Sequence, residues 1–353
     1  MAQALRLAEL GLNSTSPNPR VGCVIVRDGQ VIGEGWHQRA GTPHAEVHAL
    51  NQATAAARGA TVYVTLEPCS HHGRTPPCAD ALIAAGVARV VAAMRDPNPQ
   101  VAGRGLAQIQ AAGIAVECGL LEEPARELNI GFVSRMTRAR PWVRSKVAAS
   151  LDGRTALANG VSQWITGPAA RKDVQLLRAR ACAILTGVGT VLADDPQMNV
   201  REIETPRQPL RVVVDSQLRT PPSAKILLGG ALIVGAIEDA TKIQALRNAG
   251  AEVLVLPGAN GRVDLARLLQ LLAEREVNEL MVEAGATLNG ALLEADLIDE
   301  LVLYMAPMLL GDTARGLFAL PALRKMDERK NLSLCDVRQV GNDMRVIARV
   351  NRV

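Results

Sequence analysis

Short apolar runs alternate with helical stretches along the whole chain. Val21 to Val26 is an apolar run closed by Asp28-Gly29, which predicts a strand and a hairpin turn. Ala45 to Ala57 has helical composition and meets a stop signal at Gly59. Thr61 to Thr65 reads as a strand, Ala79 to Ala85 as a helix ended by Gly86, and Val87 to Met94 as a further strand. Leu106 to Ala111 and Ile114 to Cys118 repeat the helix–strand step, and one helix from about Glu122 to Met136 closes the series. Alternation of this kind predicts an α/β sheet with helices on its faces.

A second series starts afresh after the basic stretch Arg135 to Arg140, which ends in Pro141. We therefore expect two domains, 1–140 and 141–353. Trp142 to Ala149, Ala183 to Thr186, Leu210 to Val214, Leu232 to Val234, Val253 to Leu256 and Leu280 to Val282 are strand-like. Helices are expected at Ala169 to Arg180, behind Pro168, and at Ile243 to Asn248, Leu265 to Ala273 and Leu288 to Ala295. The end, Leu301 to Val350, is richer in strand pattern, and no repeat or low-complexity segment interrupts the chain.

The length of 353 residues agrees with two domains. Aromatic residues make up 2 %, so the cores must be built from Ala, Val, Leu and Ile. The net charge of +4 comes from 39 basic and 35 acidic residues mixed along the chain, which argues against a nucleic-acid tail and leaves room for small basic clusters that bind a phosphorylated metabolite. No apolar run is long enough to span a bilayer, and Met1 to Leu10 lacks signal-peptide architecture, so a cytoplasmic protein is expected. The six cysteines are too sparse for a disulfide framework, and only Cys69 and Cys78 lie near histidines.

His44-Ala45-Glu46 opens a predicted helix, Pro68-Cys69 follows a predicted strand, and Cys78 precedes the next helix. Zinc deaminases use a His-x-Glu with a Pro-Cys…Cys pair. One imidazole and two thiolates leave a fourth zinc position for water, whose pKa the metal lowers. The Glu then moves the water's proton to departing ammonia. Here eight residues separate Cys69 from Cys78 instead of the usual two, and His71 or His72 is an alternative third ligand.

The long insert narrows the match. Thr65 to Cys78, Pro17 to Gly22, Gly35 to Gly41 and Asp96-Pro97-Asn98-Pro99 resemble the bifunctional riboflavin-biosynthesis deaminase–reductases. In the second half, so do Lys146 to Arg154, Ser162 to Thr166, Val214-Asp215-Ser216 and the Glu283 loop. The resemblance implies a cytidine-deaminase-like three-layer α/β/α domain joined to a dihydrofolate-reductase-like α/β domain. It implies His44, Cys69 and Cys78 as zinc ligands and Glu46 as proton shuttle. It also implies Asn18, His37, Arg74, Asp96 and Asn98 as contacts to a pyrimidine ribose phosphate. Family members often carry a few more residues ahead of the first helix.

The second half lacks a Gly-x-Gly-x-x-Gly opening a helix, so the standard dinucleotide fingerprint is absent. Thr186 to Pro196 and Val282 to Leu288 place small residues where backbone amides at a helix start can hold a phosphate. The resemblance implies NADPH as cofactor near Ala148, Trp164, Thr190, Asp194, Ser216 and Gly285-Ala286-Thr287-Leu288-Asn289-Gly290-Ala291. It implies Ser162, Arg178, Met198, Arg201 and Glu283 near the substrate. Arg178 and Arg201 suit a phosphate. Lys146 and Glu283 are the polar candidates beside the reacting carbon, with a structural ion pair as their alternative role.

The expected function is therefore hydrolytic deamination of 2,5-diamino-6-ribosylamino-pyrimidinone 5′-phosphate, then reduction of its ribosyl group to ribityl by a homo-oligomer with small-molecule substrates and no nucleic-acid or membrane partner. The rival readings are a nucleoside or tRNA deaminase with a non-catalytic second domain, and a metal-stabilised nucleotide sensor that needs no Glu46.

Overall fold

Glycines set the layers of the first unit. In the computed structural model, which describes residues 1–70, 77–99 and 101–352, the chain forms two compact units, Met1–Arg140 and Pro141–Val353. The first holds α1 (Ala2–Glu9), β1 (Gly22–Arg27), β2 (Gln30–Trp36), α2 (Ala45–Ala53), β3 (Thr61–Val64), α3 (Cys78–Ala85), β4 (Arg89–Ala92), α4 (Arg104–Ala111), β5 (Ala115–Cys118), α5 (Glu122–Leu128) and α6 (Ile130–Arg138). The strands form one sheet in the order β2-β1-β3-β4-β5, with β1 antiparallel to both neighbours and β3, β4 and β5 parallel.

A Cβ built on Gly22 would overlap the carbonyl oxygen of Ala4, so α1 lies directly on the backbone of β1. On the other face, Gly33 and Gly35 of β2 receive the backbone of α2 at Ala49 and Ala45. The matching stripe on α2 is Ala45, Ala49 and Ala53, spaced by one helical turn and buried with Cys23, Val62, Leu82 and Ile109. Small residues thus replace aromatic bulk and bring helix and sheet close together. With α2, α3 and α4 on one face and α1 and α5 on the other, the unit has three layers.

The single helix expected from Glu122 to Met136 is two helices. They break at Asn129, whose backbone leaves the helical region (φ −107°, ψ 21°). Its side chain accepts from the Arg20 N–H at 2.7 Å and donates to the Arg20 carbonyl at 2.9 Å. That two-way clasp overrides a locally helical sequence.

The second unit contains β6 (Trp142–Ser150), β7 (Arg154–Ala156), α7 (Pro168–Arg180), β8 (Ala183–Gly187), α8 (Val188–Asp194), β9 (Leu210–Val214), β10 (Ala231–Gly235), α9 (Ala240–Asn248), β11 (Ala251–Val255), α10 (Leu265–Glu274), β12 (Glu279–Val282), α11 (Ala286–Glu294), β13 (Glu300–Ala306), β14 (Arg315–Gly316), β15 (Leu332–Val340) and β16 (Asp343–Val350). Nine strands form one sheet in the order β11-β10-β9-β8-β12-β6-β13-β16-β15, parallel except for β16, which is antiparallel to β13 and β15. α7, α8 and α9 cover one face through Val174, Val191 and Leu246. α10 and α11 cover the other through Leu268, Leu272 and Leu292. Strands buried on both faces explain the continuous apolar runs seen in the sequence.

Candidate active site

In the first unit α2 and α3 both start at the same place. His44 is the N-cap residue of α2 and Cys78 is the first residue of α3. Cys69 arrives on the segment after β3, and its sulfur accepts from the Cys78 N–H at 3.3 Å. His44 Nδ1 lies 3.7 Å from Cys69 Sγ and 3.3 Å from Cys78 Sγ. Tetrahedral zinc, with ligand bonds of about 2.0–2.3 Å, holds its donor atoms about 3.3–3.8 Å apart. The three donor atoms lie within 4.8 Å of one another, so the donor set and its spacing fit zinc. His71, His72 and Arg74 lie outside the described residues.

The charge distribution agrees. A hydrogen bond from the Cys78 thiol brings Cys69 down to about 4, with His44 adding to the effect. Cys78 is pushed up as the donor of that bond and by burial. A cation between the sulfurs would take the place of the proton that this bond shares. Glu46, in the first turn of α2, is 3 % exposed. Burial raises its carboxyl above the ordinary value, against the pull of the nearby His44 charge. A carboxyl held nearer neutrality is suited to both taking and giving a proton.

His37 stands edge-on to His44, ring centroids 5.1 Å apart. Its Nδ1 is 3.2 Å from the Pro43 carbonyl, so Nδ1 carries the proton there and Nε2 accepts from Asn18 Nδ2 at 3.1 Å. His37 and Asn18 thus form one chain of contacts beside His44. Burial lowers the His37 pKa, with the His44 and His48 charges acting the same way and the Pro43 carbonyl opposing them. Asp96 and Asn98 share a turn in which Asp96 Oδ1 accepts from the Asn98 N–H at 2.8 Å.

In the second unit the polar candidates gather at the C-terminal ends of the parallel strands β8 and β12, beside Lys146 in the middle of β6; strand C-terminal ends are the usual place for ligands in open α/β sheets. Glu283 follows β12, with its N–H bonded to the Leu185 carbonyl at 2.9 Å and its own carbonyl accepting from Thr186 Oγ1 at 2.7 Å. Arg178 of α7 meets the Glu283 carboxylate through two bonds and also donates to the Asn199 carbonyl at 3.0 Å. Its guanidinium, of a kind that suits a phosphate, is thus engaged by Glu283. Lys146 is the lesser partner of Glu283. Burial lowers the Lys146 pKa and the Glu283 charge opposes that shift. Ala148 lies two residues along β6 and so on the same face as Lys146.

Met198 packs against Arg178, with Sδ 3.9 Å from Nη2. Arg201 is fixed through its N–H to Gln175 Oε1 at 3.0 Å, while its side chain is half exposed. The proposed cofactor residues fall into two groups. Gly285, at the N-cap of α11, and Thr287 are exposed, and a Cβ on Gly285 would meet nothing. Ala286, Leu288 and Ala291 of the same segment are half-buried, as are Thr190 and Ser216, and so is Ser162, expected on the substrate side. Asp194 is exposed, and Trp164 is 68 % exposed above the Arg171 guanidinium at 4.6 Å. Asn289 and Gly290 instead face inward. Asn289 accepts from Ser145 Oγ at 2.9 Å and donates to the Ala284 carbonyl at 2.7 Å, which anchors the turn. A Cβ on Gly290 would overlap Ala319.

Residues 1–94 match the cytidine and deoxycytidylate deaminase zinc-binding region, and residues 141–346 match the RibD C-terminal domain. The chain is 53 % identical to riboflavin biosynthesis protein RibD of Escherichia coli, an alignment spanning 98 % of this chain and 96 % of that one. The chain belongs to the RibD family. It is accordingly a bifunctional enzyme of riboflavin biosynthesis, a deaminase joined to a reductase. RibD of Haemophilus influenzae is 48 % identical over 98 % of this chain and 95 % of its own. RibD of Acinetobacter baumannii superposes with a TM-score of 0.92 at 48 % identity, over 99 % of this chain and 98 % of that one. The reductase-domain match over 141–346 sets aside a deaminase with a non-catalytic second domain.

Proposed function

We propose that the chain deaminates 2,5-diamino-6-ribosylamino-pyrimidinone 5′-phosphate and then reduces the ribosyl group of the product to ribityl with NADPH. The observation that carries the first step is the His44–Cys69–Cys78 triangle beside buried Glu46. Bound there, zinc supplies the Lewis acidity that makes water nucleophilic near neutral pH. Glu46 takes the proton of the attacking water and returns it to the leaving amino group, so water enters and ammonia departs. His37 orients Asn18, and Asn18, Arg74, Asp96 and Asn98 hold the substrate.

In the second step NADPH supplies the hydride. Lys146 and Glu283 orient the ribosyl group, with Arg178 fixing the Glu283 carboxylate. Arg201, half exposed and anchored by its backbone, binds the 5′-phosphate. The exposed start of α11 from Gly285, together with Ala148, Trp164, Thr190, Asp194 and Ser216, receives the cofactor. The deaminase and uracil reductase of Thermotoga maritima, named for these two activities, is 32 % identical over 99 % of this chain with a TM-score of 0.88, which supports the substrate assignment.

Copies of the chain associate in this reading; the exposed Leu334 and Val337 on the outer strand β15 support it. The mixed charge supports a cytoplasmic enzyme acting on a free metabolite, without nucleic acid or membrane as partner. No helix among the described residues is long and apolar enough to cross a membrane. Ammonia release from the diaminopyrimidine, followed by its coupled oxidation of NADPH, tests the assignment; ammonia release without NADPH oxidation would refute the second half.

A further inference from the structure

Glu67 lies two residues before Cys69 and is 3 % exposed. Its Oε2 accepts from the N–H groups of Asp96 at 3.1 Å and Gly103 at 2.9 Å. Its Oε1 accepts from Gly105 at 2.9 Å and Leu106 at 3.3 Å. The backbone of Glu67 adds a bond from its own N–H to the Met94 carbonyl at 3.0 Å. α4 starts from Gly103 (φ 82°), which has no side chain to cap the helix, so Glu67 performs that role from 38 residues away. A Cβ on Gly105 would overlap the Pro68 carbonyl, so the start of α4 rests directly on the segment that carries Cys69.

One buried carboxylate therefore ties together the Cys69 segment, the turn bearing Asp96 and Asn98, and the start of α4. We propose that Glu67 is a positioning residue of the deaminase, holding the Asp96–Asn98 turn in register with the metal ligands so that substrate binding depends on it. The proposal rests on the reading that Asp96 and Asn98 contact the substrate. A carboxylate suits this position because every partner is an N–H donor, and four of them converge on two oxygens.

The full-length Glu67→Gln variant keeps the side-chain length but turns an amide N–H₂ toward N–H donors. We expect its deaminase KM to rise roughly tenfold or more, with kcat within a few fold of the parent. Bound zinc and the reductase rate on supplied intermediate should be unchanged. Glu67→Asp keeps the charge but is too short to reach all four donors, and should raise KM less; it serves if the Gln variant does not fold. Asp96→Ala and Asn98→Ala are measured alongside. If they raise KM while neither Glu67 variant does, the positioning role is refuted and the substrate reading stands. If none of the four raises KM, the substrate reading falls and takes the proposal with it. Loss of zinc or kcat at unchanged KM would make Glu67 a support of the metal segment alone and overturn the proposal.

Discussion

Arg178 grips Glu283 as a fork on a fork, Nε to Oε1 at 2.6 Å and Nη2 to Oε2 at 2.9 Å, with the two side chains 9 % and 10 % exposed. Burial is the largest single influence on the Glu283 carboxyl and would raise it, but the Arg178 charge and hydrogen bonds, with the charges of Lys146 and Arg201, together carry it below its ordinary value. A carboxyl depressed on folding lends stability at pH above its unfolded value and loses it as pH falls through the folded value. Arg178→Ala strands a buried carboxylate and should cost about 3–5 kcal/mol at neutral pH. The deficit should shrink in acid below the ordinary Glu range, as Glu283 protonates. Urea unfolding of parent and variant at both pH values checks this; a deficit independent of pH would contradict it.

Reductase kinetics should separate Glu283 from Arg201. Glu283→Gln should lower turnover strongly and leave NADPH binding nearly intact, because the carboxylate faces Lys146 and Arg178 while the exposed turn begins at Gly285. Arg201→Ala should mainly raise the substrate KM, roughly tenfold to a hundredfold for one lost charged hydrogen bond. Steady-state rates with NADPH titration by fluorescence decide both. A Glu283→Gln enzyme that reduces at the parental rate would leave this residue a structural role only.

The metal site makes its own prediction. The purified protein should carry about one zinc per chain. Cys69→Ser and Cys78→Ser should lose both zinc and deamination, and a chelator should abolish deamination while sparing reduction of supplied intermediate. Metal analysis of Cys78→Ser and His72→Ala distinguishes the ligand sets: full zinc in the first and loss in the second would replace Cys78 by His72.

Local patterns in the sequence anticipated the elements but not their long-range partners. The alternating runs and the helices that open near His44 and Cys78 were legible because periodicity and stop signals such as Gly59 and Gly86 are local. The break at Asn129 was not, because its cause is Arg20, 109 residues away. Likewise nothing near Glu283 reveals that Arg178, 105 residues earlier, is its main partner; an ion pair with Lys146 is only the alternative role the sequence offers. Asn289, which the resemblance places near the cofactor, bonds inward to Ser145 across 144 residues, a partner no local pattern shows. Glu67 stood in the Thr65 to Cys78 stretch without a role, since its donors lie 29 to 39 positions further on.

Two independent sites on one chain are tested most directly by Glu46→Ala, assayed for bound zinc, ammonia release and NADPH oxidation in the same preparation. We predict zinc at the parental level, no ammonia from the diaminopyrimidine, and NADPH oxidation at the parental rate when the deaminated intermediate is supplied. Undiminished ammonia release, or loss of both activities in a folded variant, would contradict it.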